Sequence, residues 1–78
     1  MRSHTAPTSP RTLAIDSVLW AIDAAAYDPE MAIGLIAPDR VPEDPDLDQI
    51  LAWAREEIPR DRAAARGFLR DALRLLRS

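Results

Sequence analysis

Residues 13–27, LAIDSVLWAIDAAAY, constrain the fold most, because this run is too apolar to have only one buried side. On a helix turning by about 100° per residue it shows a broad apolar stripe and a second apolar side. A helix that is apolar over most of its circumference needs neighbours on more than one side. The broad stripe comprises Ala14, Ile15, Val18, Leu19, Ile22, Ala25 and Ala26, and the second side comprises Leu13, Trp20, Ala24 and Tyr27.

Two Xaa-Pro pairs mark the starts of the first two helices. Ser9-Pro10 and Asp28-Pro29 each place an N-cap side chain before a proline suited to the first helical position. They predict helices over residues 10–27 and 29–37. Gly34 in the second helix would let another backbone approach closely. The apolar residues around Gly34 also fit a buried strand, but the sequence offers no second strand to pair with it, so a helix is favoured.

The second half of the chain predicts a connector followed by two longer helices. Three prolines in residues 38–45 indicate a stiff, extended segment. Asp46 and Gln49 then match a capping box, so the third helix is expected over residues 47–58, ending before Pro59. The fourth helix is expected over residues 60–77. The apolar face of the third helix comprises Leu47, Ile50, Leu51, Ala54 and Ile58, with Trp53 at its flank.

These elements predict an all-α fold: a small four-helix domain of three longer helices and one short helix, arranged as a compact or orthogonal bundle. Residues 1–8 are expected to form a flexible N-terminal tail and residues 9–78 a single helical domain. The N-terminus lacks the apolar core of a signal peptide, so a cytoplasmic location is expected. All ten basic residues are arginine, beside many Ala, Pro and Asp residues, a composition that indicates a GC-rich bacterial genome.

The fourth helix separates apolar and charged residues lengthwise. Residues 60–78 carry six arginines against two aspartates, whereas residues 1–59 carry four arginines against eleven acidic residues. Acids of the earlier helices, Asp16 and Asp23 among them, could neutralise the arginines within the fold. Otherwise the arginines would contact an acidic protein, a nucleic-acid backbone or a membrane surface. The arginines concerned, termed the arginine row, are Arg62, Arg66, Arg70, Arg74 and Arg77.

The sequence offers no candidate residues for catalysis or for binding a metal ion. The chain has no cysteine and no lysine, and its one histidine, His4, falls in the expected tail. Residues 44–48, DPDLD, follow the opening of a calcium loop, but Gln49 replaces the required glycine and Arg55 replaces the bidentate glutamate. The sequence therefore predicts no enzyme, no metal site and no cofactor.

The sequence instead predicts a small protein–protein interaction module: an adaptor, a docking domain or a regulatory subunit of the antitoxin or anti-activator kind. Trp and Tyr side chains are frequent anchors of such contacts. Alternatively, the second and fourth helices could pack on both sides of the first helix. Its second apolar side would then be buried and could not contact a partner. A homodimer through the first helix and a nucleic-acid-binding domain using the arginine row are the alternatives. The expected partner-binding residues are Leu13, Trp20, Tyr27 and Trp53, with Arg62, Arg66, Arg70 and Arg74 as electrostatic contacts to a protein or peptide, for example an acidic one.

Overall fold

The structure, a computed structural model, describes residues 9–78. They form four α-helices: α1 (Pro10–Ala24), α2 (Pro29–Leu35), α3 (Pro45–Glu57) and α4 (Arg62–Arg77). A short 3-10 turn, Pro38–Arg40, lies between α2 and α3. No strand occurs within residues 9–78, so the all-α fold predicted from the sequence is confirmed. The predicted N-terminal tail lies outside the described residues.

Each helix begins at a side chain that accepts hydrogen bonds from the exposed N–H groups of the first turn. The N-cap residues are Ser9, Asp28, Asp44 and Asp61. Their oxygens accept from backbone N–H groups two or three residues further along, at 2.9 to 3.3 Å. The predicted starts of α1 and α2 are confirmed, because an N-cap followed by proline acts within a few residues and needs no tertiary contact.

The capping box predicted for α3 is wrong. The helix begins two residues earlier, at Pro45, and Asp44 is its N-cap. Asp44 Oδ1 accepts from the N–H groups of Asp46 and Leu47 at 2.9 and 3.3 Å. Asp44-Pro45 therefore repeats the arrangement that starts α2, and Asp46 lies inside the first turn, where the helix dipole favours its charge.

Other boundaries also differ from the prediction: α4 begins at Arg62 rather than at residue 60, because Asp61 is its N-cap. α1 ends at Ala24, and residues 25–27 form a turn in which the Asp28 N–H donates to the Ala24 carbonyl at 2.6 Å. α2 ends at Leu35, and the connector predicted to be extended contains the 3-10 turn. The close backbone approach predicted at Gly34 is also wrong, since a Cβ built there would meet nothing within 4 Å.

The helices pack in the order α2, α1, α4, α3. α1 contacts both α2 and α4, while α3 packs against α4. α1 and α4 run antiparallel: Arg62, at the start of α4, donates to the Ala26 carbonyl just beyond α1 at 3.0 Å. At the other end, Arg11 donates to the Ser78 carbonyl, also at 3.0 Å. α4 thus joins the N-terminal helices to α3.

Small side chains dominate the core, so the helices can approach one another closely. Eight of the fifteen buried apolar residues are alanines, and none is aromatic. With so little room at the centre, the large aromatic side chains lie towards the surface. The buried residues are Ala14, Val18, Ala21, Ala24, Ala25, Ala32, Ile36, Leu47, Leu51, Ala54, Ile58, Ala65, Leu69, Ala72 and Leu76.

Candidate functional site

The buried side of α1 is narrower than the stripe predicted from the sequence. It is centred on residues spaced by three or four, as for a helix with one face on the core. Ile15 and Ile22 are half-buried at its edge, whereas Leu19 and Ala26, both assigned to the stripe, are exposed. Ala24, assigned to the second side, is buried. The residues of α1 and the following turn that are buried are Ala14, Val18, Ala21, Ala24 and Ala25.

Apart from the buried Ala24, the residues of the second apolar side face solvent. Leu13, Trp20 and Tyr27, spaced by sevens, are 54%, 64% and 63% exposed. These three residues are termed the α1 apolar surface. Although α2 and α4 both contact α1, neither helix covers this surface. Of the four side chains predicted to bind a partner, the structure brings Leu13 and Trp20 together, because both line one groove. Tyr27 is exposed in the turn that follows α1 and does not line that groove.

A groove of about 660 Å³ runs beside the α1 apolar surface. Leu13 and Trp20 line it from α1, while Leu35 at the end of α2 and Val41 after the 3-10 turn also line it. The groove forms because α2 is only two turns long and the chain then continues through the connector. The remaining lining residues are Pro10, Asp16, Ser17, Asp39 and Arg40, so charged groups border an apolar depression.

Trp53 belongs to a different surface. Its ring lies against Phe68 of α4, with the ring centroids 5.6 Å apart and the planes inclined by 43°. Together with Glu56, Glu57 and Ala64, these rings line a pocket of about 450 Å³, termed the α3–α4 pocket. The pocket shares no residue with the α1 groove. Sequence reasoning therefore grouped Trp53 with the wrong neighbours on α1, although it identified Trp53 as a flanking residue of α3.

All five guanidinium groups of the arginine row are exposed. Arg62 donates to the Ala26 carbonyl, and Arg74 pairs with Asp71 of the same helix at 3.2 Å. Within residues 9–78, neither Asp16 nor Asp23 forms an ion pair with the row. Neutralisation of the row by those two aspartates, one interpretation of the sequence, is therefore absent from the described part of the fold.

Four residues of the α3–α4 pocket were not predicted from the sequence as site residues: Glu56, Glu57, Ala64 and Phe68. Spacing could have found the first two, because Trp53, Glu56 and Glu57 stand at i, i+3 and i+4 and so share one side of α3. Ala64 and Phe68 stand on α4, and the contact of Phe68 with Trp53 depends on how α3 and α4 pack.

The described residues contain neither a candidate metal site nor a membrane-spanning helix. In residues 9–78 no group of three or more acidic or histidine side chains is placed to hold a metal ion. No helix in this part of the chain is both long and apolar enough to cross a membrane. Comparison with protein-family models, curated proteins and solved structures finds no match for this chain. The two surfaces and the arginine row are thus the features from which a function can be argued.

Proposed function

We propose that this chain is a small non-enzymatic interaction module that docks another protein through the α1 apolar surface. The observation that supports this most directly is that Leu13 and Trp20 are more than half exposed and line one groove, with Tyr27 equally exposed in the turn after α1. Tryptophan and tyrosine bury a large area at little cost in rotamer freedom and often dominate binding energy. Exposed apolar side chains that lie together commonly mark a contact site.

The groove beside the α1 apolar surface gives the partner a concave surface to fit into, in addition to the exposed apolar side chains. An apolar side chain of the partner would fit between Trp20 and Val41, and a partner helix could lie along the depression, as in other helix-in-groove contacts. Asp16, Asp39 and Arg40 would form the polar rim around this contact. Such a combination of apolar centre and charged rim is the usual composition of protein interfaces.

The arginine row would orient the partner and speed its association. Arg66 and Arg70 are exposed and form no ion pair within residues 9–78. An acidic surface on the partner would be attracted to them, which mainly raises the association rate. This division of roles, with affinity from α1 and steering from α4, suits an adaptor or a regulatory subunit.

Comparison of two α1 variants tests the proposal. Trp20→Ala removes the centre of the α1 apolar surface, while Leu19→Ala removes another exposed apolar side chain of the same helix, about 100° away. With a partner captured by the wild-type protein and then purified, Trp20→Ala should weaken binding by about thirtyfold, the usual effect of losing an anchor. Leu19→Ala should leave binding unchanged. Equal affinity of wild type and Trp20→Ala would contradict the proposal.

Nucleic-acid binding is the second candidate, supported by the exposure of all five arginines in the row. Phosphate contacts would make binding fall by orders of magnitude between about 50 and 200 mM salt, whereas apolar docking would change little. Arg66→Glu combined with Arg70→Glu should abolish the former and leave the latter largely intact. A protein partner lost completely in this double variant but retained by Trp20→Ala would show that α1 is not the anchor.

A homodimer is the remaining alternative for the same surface. Sedimentation of the wild-type protein and of Trp20→Ala separates it from docking of another protein. A dimer that becomes monomeric on removal of the Trp20 ring would identify a second copy of the chain as the partner. Monomers in both cases would dismiss the homodimer.

A further inference from the structure

The α3–α4 pocket combines aromatic faces with carboxylates. Trp53 remains 46% exposed although its ring contacts Phe68, so part of the indole is available to a ligand. Glu56 and Glu57 lie one turn further along the same side of α3 and line the same pocket. Ala64 keeps the α4 side open, because its side chain is a single methyl group.

Aromatic rings and carboxylates attract the same kind of group. The face of an indole or phenyl ring carries negative charge density and binds cations, and tryptophan does so best. A carboxylate at the edge of the rings adds a direct charge and a hydrogen-bond acceptor. The pocket is therefore complementary to a cation carried on an apolar stem, such as a basic side chain.

The carboxylates retain free acceptor capacity. The one basic residue paired with them in the described part of the chain is Arg60, whose nitrogens lie 3.8 Å from Glu56 and 3.9 Å from Glu57. Those distances exceed the roughly 2.8 Å of a charge-assisted hydrogen bond, and the Arg60 side chain is 69% exposed. Within residues 9–78 neither glutamate accepts a side-chain hydrogen bond from this arginine or from any other residue.

We propose that the α3–α4 pocket binds a basic side chain of a partner polypeptide, arginine in preference to lysine. A planar guanidinium can stack on the Trp53 ring while its N–H groups reach a carboxylate, and an ammonium group offers no comparable flat face. The α3–α4 pocket shares no residue with the α1 groove, so binding of a basic side chain here is separate from docking on α1. The two assignments therefore fail independently.

Titration with capped amino acids, followed by NMR, tests this site. The probes are N-acetyl-arginine methylamide and the citrulline equivalent, which has nearly the same shape but no charge. The indole N–H signals of Trp53 and Trp20 report separately on the two surfaces. Arginine should shift the Trp53 and Phe68 signals in a saturable way and leave the Trp20 signal in place, and citrulline should shift neither. Equal shifts with both probes, shifts at Trp20, or no shift with arginine would each overturn the assignment.

Two pairs of charge variants distinguish direct binding by Glu56 and Glu57 from long-range attraction by the net negative charge of the chain. Glu56→Gln with Glu57→Gln should weaken arginine binding about tenfold. Glu30→Gln with Glu43→Gln removes the same charge from residues that do not line the pocket and should change binding less than twofold. An equal effect of both pairs would show that only long-range charge is involved and would overturn the assignment. Arg60→Gln should strengthen binding, because the internal competitor for the two glutamates is removed.

Discussion

Residues of similar chemistry have different roles in this protein because their exposure differs. Leu69 is completely buried, whereas Leu13 and Trp20 are more than half exposed. Burial of a large apolar side chain stabilises the folded state by about 1.5–3 kcal/mol, whereas an exposed one contributes little to stability. Exposed apolar residues are thus dispensable for folding but available for contact.

Stability measurements should separate the two groups. Leu69→Ala is expected to lower the free energy of unfolding by about 2–5 kcal/mol, because it removes a buried side chain and leaves a cavity. Trp20→Ala should change the free energy by less than about 1 kcal/mol, because most of the indole is already in water. Urea denaturation of the three proteins provides the comparison. A loss for Trp20→Ala as large as that for Leu69→Ala would mean that the indole is part of the core.

Gly67 lies in the interior of α4, where glycine weakens the helix. A Cβ built at this position meets nothing within 4 Å, so Gly67→Ala adds a methyl group without collision. The substitution should raise the free energy of unfolding by about 0.5–1 kcal/mol through the lower conformational entropy of the unfolded chain and the better helix propensity of alanine. A thermal melt shows the gain as a higher Tm. A lower Tm would contradict this expectation.

At the level of the element, the helices depend on capping and on arginine contacts at their ends. Asp61 caps α4. Three arginines donate to backbone carbonyls near helix ends: Arg11 to Ser78, Arg62 to Ala26, and Arg55 to Ile36 at 2.8 Å. Each of these carbonyls lies just beyond the end of its helix, where no further turn supplies an N–H donor, so the guanidinium groups provide one. Part of the arginine content therefore has a structural role.

The cap of α4 can be tested with two substitutions at one position. Asp61→Ala should lower the free energy of unfolding by about 1 kcal/mol, because the Ala64 N–H loses its acceptor. Asp61→Asn keeps an acceptor oxygen and should retain most of the stability. Chemical denaturation of both variants provides the measurement. If the alanine and asparagine variants lost the same amount, the charge of Asp61 rather than its hydrogen bond would be responsible.

At the level of the whole molecule, the packing order α2, α1, α4, α3 gives the helices different numbers of neighbours and buried residues. α4 packs against both α1 and α3, and four of its residues are buried. α2 has seven residues, packs mainly on α1 and buries only Ala32 from within the helix. Local opening requires least free energy where few apolar contacts are broken, so we expect α2 to open most readily of the four helices.

Hydrogen–deuterium exchange should reproduce this ranking. Amides in the middle of α4 are expected to exchange slowest, with a protection that matches the free energy of global unfolding, while those of α2 exchange fastest among the four helices. Arg55→Ala should speed exchange in α2 further, because Arg55 connects α3 to the Ile36 carbonyl at the end of α2. Equal protection of α2 and α4 would show that the fold opens only as one unit.

Local interactions made most of the secondary structure predictable. Ser9, Asp28 and the prolines after them act within a single turn, so the starts of α1 and α2 follow from adjacent residues. The buried faces of α3 and α4 were also predictable, because each of these helices has its apolar residues on one side. The cap of α3 was placed two residues late, since Asp44 and Asp46 both stand before the apolar run and only the backbone distinguishes them.

The sequence by itself thus determined an all-α chain with four helices, their approximate bounds, and the buried sides of the two amphipathic ones. Tertiary structure alone decided whether the second apolar side of α1 is covered, because only the packing of α2 and α4 leaves Leu13, Trp20 and Tyr27 exposed. It also decided that Trp53 meets Phe68, fifteen residues along the chain and on another helix. That contact depends on how α3 packs on α4, which no spacing within either helix specifies.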